Sequence, residues 1–172
     1  GHVAGTLSRA FGVRQTPPPS LATLLTKGRL GRKNQRGFYD YRDRNATSRL
    51  ADPSVYAELG LRQPVKKRSI ERGFLEEGSI FERCLLSMVN EAIHCLGDGI
   101  LQSPRDGDMG AIYGLGFPPF LGGPFFLVDR LGAREVLGRI ERLQSEHGAR
   151  FEPAPRLREL AEKDERFYRH AR

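Results

Sequence analysis

Apolar residues along this chain recur mostly at helical spacing. The best-formed pattern runs from about Ser79 to Leu96, where Phe81, Cys84, Leu85, Met88, Ala92, Cys95 and Leu96 share one stripe. Arg83, Ser87, Glu91 and Asp98 fall on other faces. A second pattern covers Ala133 to His147, with Val136, Leu137, Ile140 and Leu143 inward and Gly148 as its stop. Cys84 and Cys95 are eleven residues apart, so a helix separates them by about 16 Å along its axis. They cannot bond to each other, and both are expected as buried, inert thiols of the core stripe.

Helix punctuation predicts the shorter elements. Val3 to Phe11 reads as a helix ended by Gly12, and Pro17–Pro18–Pro19 cannot continue it. Ser20 is the expected N-cap of a helix over Leu21 to Lys27, with Gly28 as its stop. Gly31 and Gly37 bracket a basic turn, and Phe38, Tyr39 and Tyr41 follow as a short extended segment. Asp52 and Pro53 start a short helix to Leu59. Ser103 and Pro104 start another, to about Tyr113. The run Gly114 to Gly123 breaks it. Short helices then cover Pro124 to Arg130 and, at the end, about Arg156 to Glu162. The fold class this predicts is an all-α bundle.

Two segments match without gaps at an offset of 136 residues. Gly12, Arg14, Pro17, Pro19, Leu21 and Leu24 pair with Gly148, Arg150, Pro153, Pro155, Leu157 and Leu160, and Leu7 pairs with Leu143. A repeat is one structural unit used twice. The later copy begins near residue 78 and is almost whole. The earlier copy is expected to be present only as its last third, with the remainder upstream of Gly1.

Charge adds one feature. The 172 residues carry 28 Lys and Arg against 21 Asp and Glu, a net of +7. Residues 27–72 alone hold thirteen basic and five acidic side chains, so the rest of the chain is slightly acidic. A basic segment on a near-neutral body suits a solvated loop, a phosphate-bearing ligand or an anionic surface. Nucleic acid fits less well, because the basic residues follow no helical face. Two cysteines exclude a disulfide scaffold and a four-cysteine zinc module. No apolar run approaches the roughly 20 residues of a membrane helix. A cytoplasmic or organelle-matrix location is the default expectation.

Candidate chemistry is sparse. Gly114 and Gly116 have no third glycine and no preceding strand, so they make no dinucleotide fingerprint. His2, His94, His147 and His170 form no metal pattern. Asp106 and Asp108 are expected to serve helix capping rather than acid–base work. The Gly114 to Gly123 run is expected to let two helices pack closely, with an apolar ligand pocket as the alternative. Arg32, Lys33 and Arg36 in the basic turn are the candidate phosphate contacts.

Several segments together carry a resemblance. They are Gly31-Arg-Lys-Asn-Gln-Arg-Gly-Phe-Tyr39, Arg83 through Leu96, Asp106 through Pro124 with Gly-Leu-Gly-Phe-Pro-Pro-Phe-Leu-Gly-Gly inside it, and Gly148-Ala-Arg-Phe-Glu-Pro153. The chain resembles the C-terminal part of the multifunctional fatty-acid oxidation complex alpha subunit. That family joins an enoyl-CoA hydratase to a 3-hydroxyacyl-CoA dehydrogenase with two tandem helical C-terminal domains.

The resemblance implies three regions. Residues 1–41 are the end of a first helical domain, 42–77 a basic and partly irregular linker, and 78–172 a second helical domain. It implies NAD as cofactor of the whole enzyme, with none expected on this region, and acyl-CoA as substrate. Upstream hydratase and Rossmann domains and a thiolase beta subunit are the implied partners, nucleic acid is not, and the location is bacterial cytoplasm.

It assigns no catalytic residue here. Arg32, Lys33 and Arg36 would lie near a CoA phosphate. The family's first helical domain opens its long helix with Gly-Phe-x-x-Asn-Arg, whose Asn belongs to the active site. Here the second copy reads Gly78-Ser-Ile-Phe-Glu82-Arg83, with Glu82 at the Asn position. The expectation is a bracing, non-catalytic region. A module docking thiolase or a membrane is the alternative, and a basic nucleic-acid binder is a weaker one.

Overall fold

The computed structural model describes residues 2–43, 51–62 and 79–168. They fall into two compact units, residues 1–70 and 71–172. All regular elements among the described residues are helical. Backbone pairing is confined to isolated bridges, Gly31 with Arg36, Arg36 with Asp40, and Tyr39 with Ala51. The extended segment expected at Phe38 to Tyr41 is therefore part of a looped ribbon. Residues 44–50 and 63–78, much of the expected linker and its boundary near 78, lie outside the described residues.

The first unit contains α1 (His2–Phe11), α2 (Pro19–Thr26) and α3 (Ser54–Glu58). Pro18, not Ser20, is the N-cap of α2, and Pro19 takes the first helical position. The ring fixes φ near the helical value and its missing N–H has no helical partner to lose, so helix geometry starts earlier than the serine suggested. At α3, Pro53 rather than Asp52 is the N-cap, and the Asp52 carboxylate accepts from the Ser54 N–H at 3.0 Å just ahead of the helix. Leu24 and Val55 are buried. No residue of α1 is buried, although its apolar positions form one face.

The second unit contains α4 (Ile80–Gly97), α5 (Pro104–Gly110), α6 (Pro124–Leu131), α7 (Ala133–His147) and α8 (Pro155–Lys163). A π-turn over Ala111–Leu115 extends α5 and stops at Gly116 in the left-handed region. The core joins Leu85, Leu86, Val89 and Ile93 of α4 to Phe125, Leu127 and Val128 of α6, to Val136, Ile140 and Leu143 of α7, and to Leu157 of α8. Helix α4 touches α6, α7 and α8, so its buried face is broad.

The stripe expected on α4 is corrected by this packing. Phe81 is 38% exposed, while Leu86, Val89 and Ile93 are buried. Cys84 is exposed and Cys95 half-buried, so neither is the fully buried thiol expected. The centre of the inward face contains Glu82 and Asn90, both buried. Counting only apolar residues skips these two and rotates the inferred stripe toward Phe81 and Cys84.

Close packing explains two glycines. A Cβ on Gly107 would meet the Phe125 ring at 2.3 Å, and one on Gly123 (φ +105°) would meet the Asp108 carboxyl carbon at 2.4 Å. Asp108 is thereby brought to the start of α6, where it accepts from the N–H groups of Phe125 at 2.8 Å and Phe126 at 3.2 Å. Asp106 caps its own helix with Ser103, as expected, but Asp108 caps a neighbouring one. The last described residues dock on the same corner. Asp129 accepts from the N–H groups of Phe167 and Tyr168, both at 2.8 Å, and the Tyr168 hydroxyl donates to Asp108 at 2.6 Å.

Candidate functional site

The basic turn is built around Arg29, which is 5% exposed. Its Nε donates to Glu58 at 2.7 Å, and its Nη1 to Asp52 at 2.8 Å and the Gly37 carbonyl at 2.7 Å. Its Nη2 donates to Glu58 at 3.0 Å and also to the Ser54 hydroxyl. One guanidinium thus ties the Gly31–Gly37 turn to α3 with its fork geometry. The bond to Arg29 holds the Asp52 carboxyl at about 2, well below its ordinary value of 3.8. Glu58 is lowered too, again chiefly by its bond to Arg29.

Within the turn, Asn34 accepts from the Leu30 N–H at 3.2 Å and its amide donates to the Gly28 carbonyl. Gln35 takes a positive φ of 64°. A Cβ on Gly37 would lie 2.9 Å from the Gly31 Cα, so the two ends of the turn meet at backbone distance.

The three candidate phosphate contacts separate in this frame. Arg32 and Lys33 are exposed at the tip. Arg36 donates to Glu58 at 2.7 Å and so is engaged with the Arg29 knot. Sequence reasoning counted Arg29 only as one of many basic residues. Its signal, had it been used, was the pair of acids Asp52 and Glu58 spaced across one short helix.

The position that the sequence resemblance sets against an Asn lies in the second unit. Glu82 there is fully buried, with 0% exposure. Its carboxylate accepts from Arg139 at 3.0 Å and from Arg142 at 3.3 Å, both on α7. Arg139 also bonds Glu135 one turn earlier, at 2.6 Å. The buried carboxylate is thus held by two guanidinium groups that reach in from the partly exposed face of α7. Nearby, Asn90 donates to the Glu152 carbonyl at 2.8 Å and accepts from the Ala154 N–H at 2.9 Å, which fixes the turn before α8. Neither arginine was singled out from sequence. Their three-residue spacing on α7 was the available clue.

Against known proteins, the sequence profile of the 3-hydroxyacyl-CoA dehydrogenase C-terminal domain matches residues 78–169. The chain belongs to the 3-hydroxyacyl-CoA dehydrogenase C-terminal domain family. The fatty acid oxidation complex subunit alpha of Shewanella sp. (strain MR-7) is 46% identical over 169 residues, covering 96% of this chain and 23% of the relative. That of Shewanella baltica (strain OS185) is 42% identical over 166 residues, covering 96% of this chain and 22% of the relative. The chain thus spans less than a quarter of the length of these curated relatives. A solved structure, (S)-3-hydroxybutyryl-CoA dehydrogenase from Ralstonia eutropha, is 32% identical with a TM-score of 0.46, covering 52% of this chain and 30% of that one.

Dehydrogenases of this family imply NAD. The residues described here do not fit it: they include no strand-to-helix turn with the glycine spacing that cradles a pyrophosphate. No helix among the described residues is long and apolar enough to cross a membrane.

Proposed function

We propose that this chain is the C-terminal helical region of a bacterial, cytoplasmic fatty-acid β-oxidation enzyme. The whole enzyme would carry 3-hydroxyacyl-CoA dehydrogenase and enoyl-CoA hydratase activities, with NAD accepting hydride outside the residues present here. This region braces the dehydrogenase and performs no chemistry itself. The observation carrying that reading is Glu82: the position aligned with the family's active-site Asn is a buried carboxylate held by Arg139 and Arg142.

The two-copy organisation belongs to the same proposal. Residues 1–41 are read as the end of a first helical domain and residues 78–172 as a second. Matching local conformations support it. Gly12 (φ +61°) and Gly148 (φ +85°) both end a helix, and each is followed by a 3-10 turn and a helix opened by proline, Pro19 or Pro155.

At the basic turn, Arg32 and Lys33 contact a phosphate of acyl-CoA, and Arg36 supports them from its bond to Glu58. A second reading, docking of a thiolase subunit, is favoured by the exposed Tyr113, Leu115 and Phe120 of the second unit, at 81%, 75% and 69% exposure.

The test is NADH oxidation at saturating acetoacetyl-CoA. This chain alone is expected to show no turnover, while the longer protein is active. Turnover by the chain alone would overturn the bracing role. In the longer protein, replacing Arg32 and Lys33 together by Ala should raise KM for acyl-CoA at least threefold with kcat unchanged. An unchanged KM removes the phosphate assignment.

A further inference from the structure

The two matching stretches keep one backbone plan past their last helices and then part at a single place. Gly28 (φ +71°) and Asp164 (φ +55°), 136 residues apart, both turn the chain in the left-handed region. The next N–H returns to the helix in each case, Arg29 to the Leu24 carbonyl at 2.8 Å and Glu165 to the Leu160 carbonyl at 3.0 Å. One helix-ending motif is thus used twice. After Leu30 and Arg166 the offset changes. Phe167–Tyr168 follows Arg166 directly, whereas the same pair, Phe38–Tyr39, is reached only after Gly31 to Gly37. The offset drops there from 136 to 129, so the seven residues of the basic turn have no counterpart.

The turn is closed on itself. The Gly31 N–H donates to the Arg36 carbonyl at 2.8 Å, so the chain enters and leaves the turn at one place. A connection that the second unit makes without these residues does not need them for its path. Their support is also confined to the first unit. Arg29, which donates to the Gly37 carbonyl, stands where the second unit has the exposed Glu165.

What the turn adds is charge at its tip. Arg32 and Lys33 are exposed, with no ion pair or hydrogen bond among the described residues. The acids of its base are already engaged: Asp52 and Glu58 by Arg29, Glu58 also by Arg36, and Asp40 by Arg42. Two adjacent cations therefore remain uncompensated. They match a phosphomonoester, which carries close to two negative charges at neutral pH and three acceptor oxygens. An internal pyrophosphate is flanked by its own molecule on both sides and suits a groove or a helix start. A terminal monoester can be met from one side by a protruding tip.

We infer that the Gly31–Gly37 turn is a ligand-reading addition to the fold, whose Arg32 and Lys33 take the terminal 3′-phosphomonoester of CoA rather than its internal pyrophosphate. This rests on the acyl-CoA reading proposed above.

The experiment compares acetoacetyl-CoA with acetoacetyl-3′-dephospho-CoA as substrates for NADH oxidation by the longer protein. The dephospho substrate should show a KM about threefold higher with kcat unchanged, the scale of two exposed ionic contacts. Arg32→Ala with Lys33→Ala should raise KM for acetoacetyl-CoA to the dephospho value and leave the dephospho KM where it was. If the variant raises both KM values by the same factor, the turn meets another part of CoA, and the inference falls while the acyl-CoA contact stands. If it changes neither, both fall. Equal KM values for the two substrates in the unaltered protein would also overturn the inference.

Discussion

The stretch His2–Thr26 and the stretch Gly138–Lys163 follow one local plan and reach different ends. Each has a helix, a glycine with positive φ, a 3-10 turn and a proline-opened helix. Leu24 and Leu160 are buried at equivalent places. Leu143, however, is fully buried and Leu7 is 41% exposed. The difference teaches where each level of structure is encoded. Local conformation is set by residues close in sequence, through caps and backbone limits. Burial depends on neighbours, and helix stability in proteins comes mostly from that packing.

The comparison breaks most sharply in the paired leucines. Leu143→Ala should cost about 2–5 kcal/mol by transfer and cavity formation. Leu7→Ala should cost under about 0.5 kcal/mol in this chain. Urea denaturation followed by amide exchange in each unit checks both. Equal losses would mean that α1 is covered.

The next largest contrast lies at Glu82. Replacing it by Ala removes the buried acceptor of Arg139 and Arg142, which are 23% and 29% exposed, and leaves a cavity, so the second unit should lose about 1–3 kcal/mol. Thr6→Ala, on the equivalent face of α1, should change stability by less than about 0.5 kcal/mol. The same measurement checks both. A loss under about 1 kcal/mol for Glu82→Ala would show that water already reaches the carboxylate.

A smaller effect separates the units by pH. Asp52 is held near 2 rather than 3.8 by Arg29, so its contribution is complete above the ordinary value and fades as pH falls toward 2. Burial pushes the Asp108 carboxyl the other way, upward from 3.8. Its contribution is complete below 3.8 and fades as pH rises through the raised value. Between about pH 5 and 2.5, amides of residues 29–37 and 52–58 should lose exchange protection, whereas Asp108→Asn should narrow the gain the second unit draws from acid. Unchanged protection across the Arg29 turn would remove Asp52 from its support.

Much of this was legible in the sequence. The glycine and proline punctuation located the ends of α1, α7 and α8 to within a residue or two, because capping and φ restriction act locally. The long motif from Asp106 to Pro124 carried the family. The start of α2 was misplaced because Ser20 looked like a cap while Pro19 already had helical geometry. The phase of α4 was missed because its inward face includes a carboxylate and an amide, and their partners lie about 60 residues away on α7 and before α8. The Arg29 knot was hidden for the same reason. A buried arginine and an exposed one are the same letter until the acids that meet it are placed.

The corner where Asp108 and Asp129 meet Phe167 and Tyr168 has a practical consequence for anyone handling the protein. The final turn is fastened by side chains of helices far earlier in the sequence, and the Phe167 ring lies edge-on to the buried Phe125 at 4.9 Å. A tag or fusion partner joined beyond Tyr168 leaves that fastening whole. A cut between Lys163 and Phe167 takes from Asp129 the Phe167 and Tyr168 N–H donors and from Asp108 the Tyr168 hydroxyl, and it uncovers the Phe125 ring, turning a closed corner into an adhesive one.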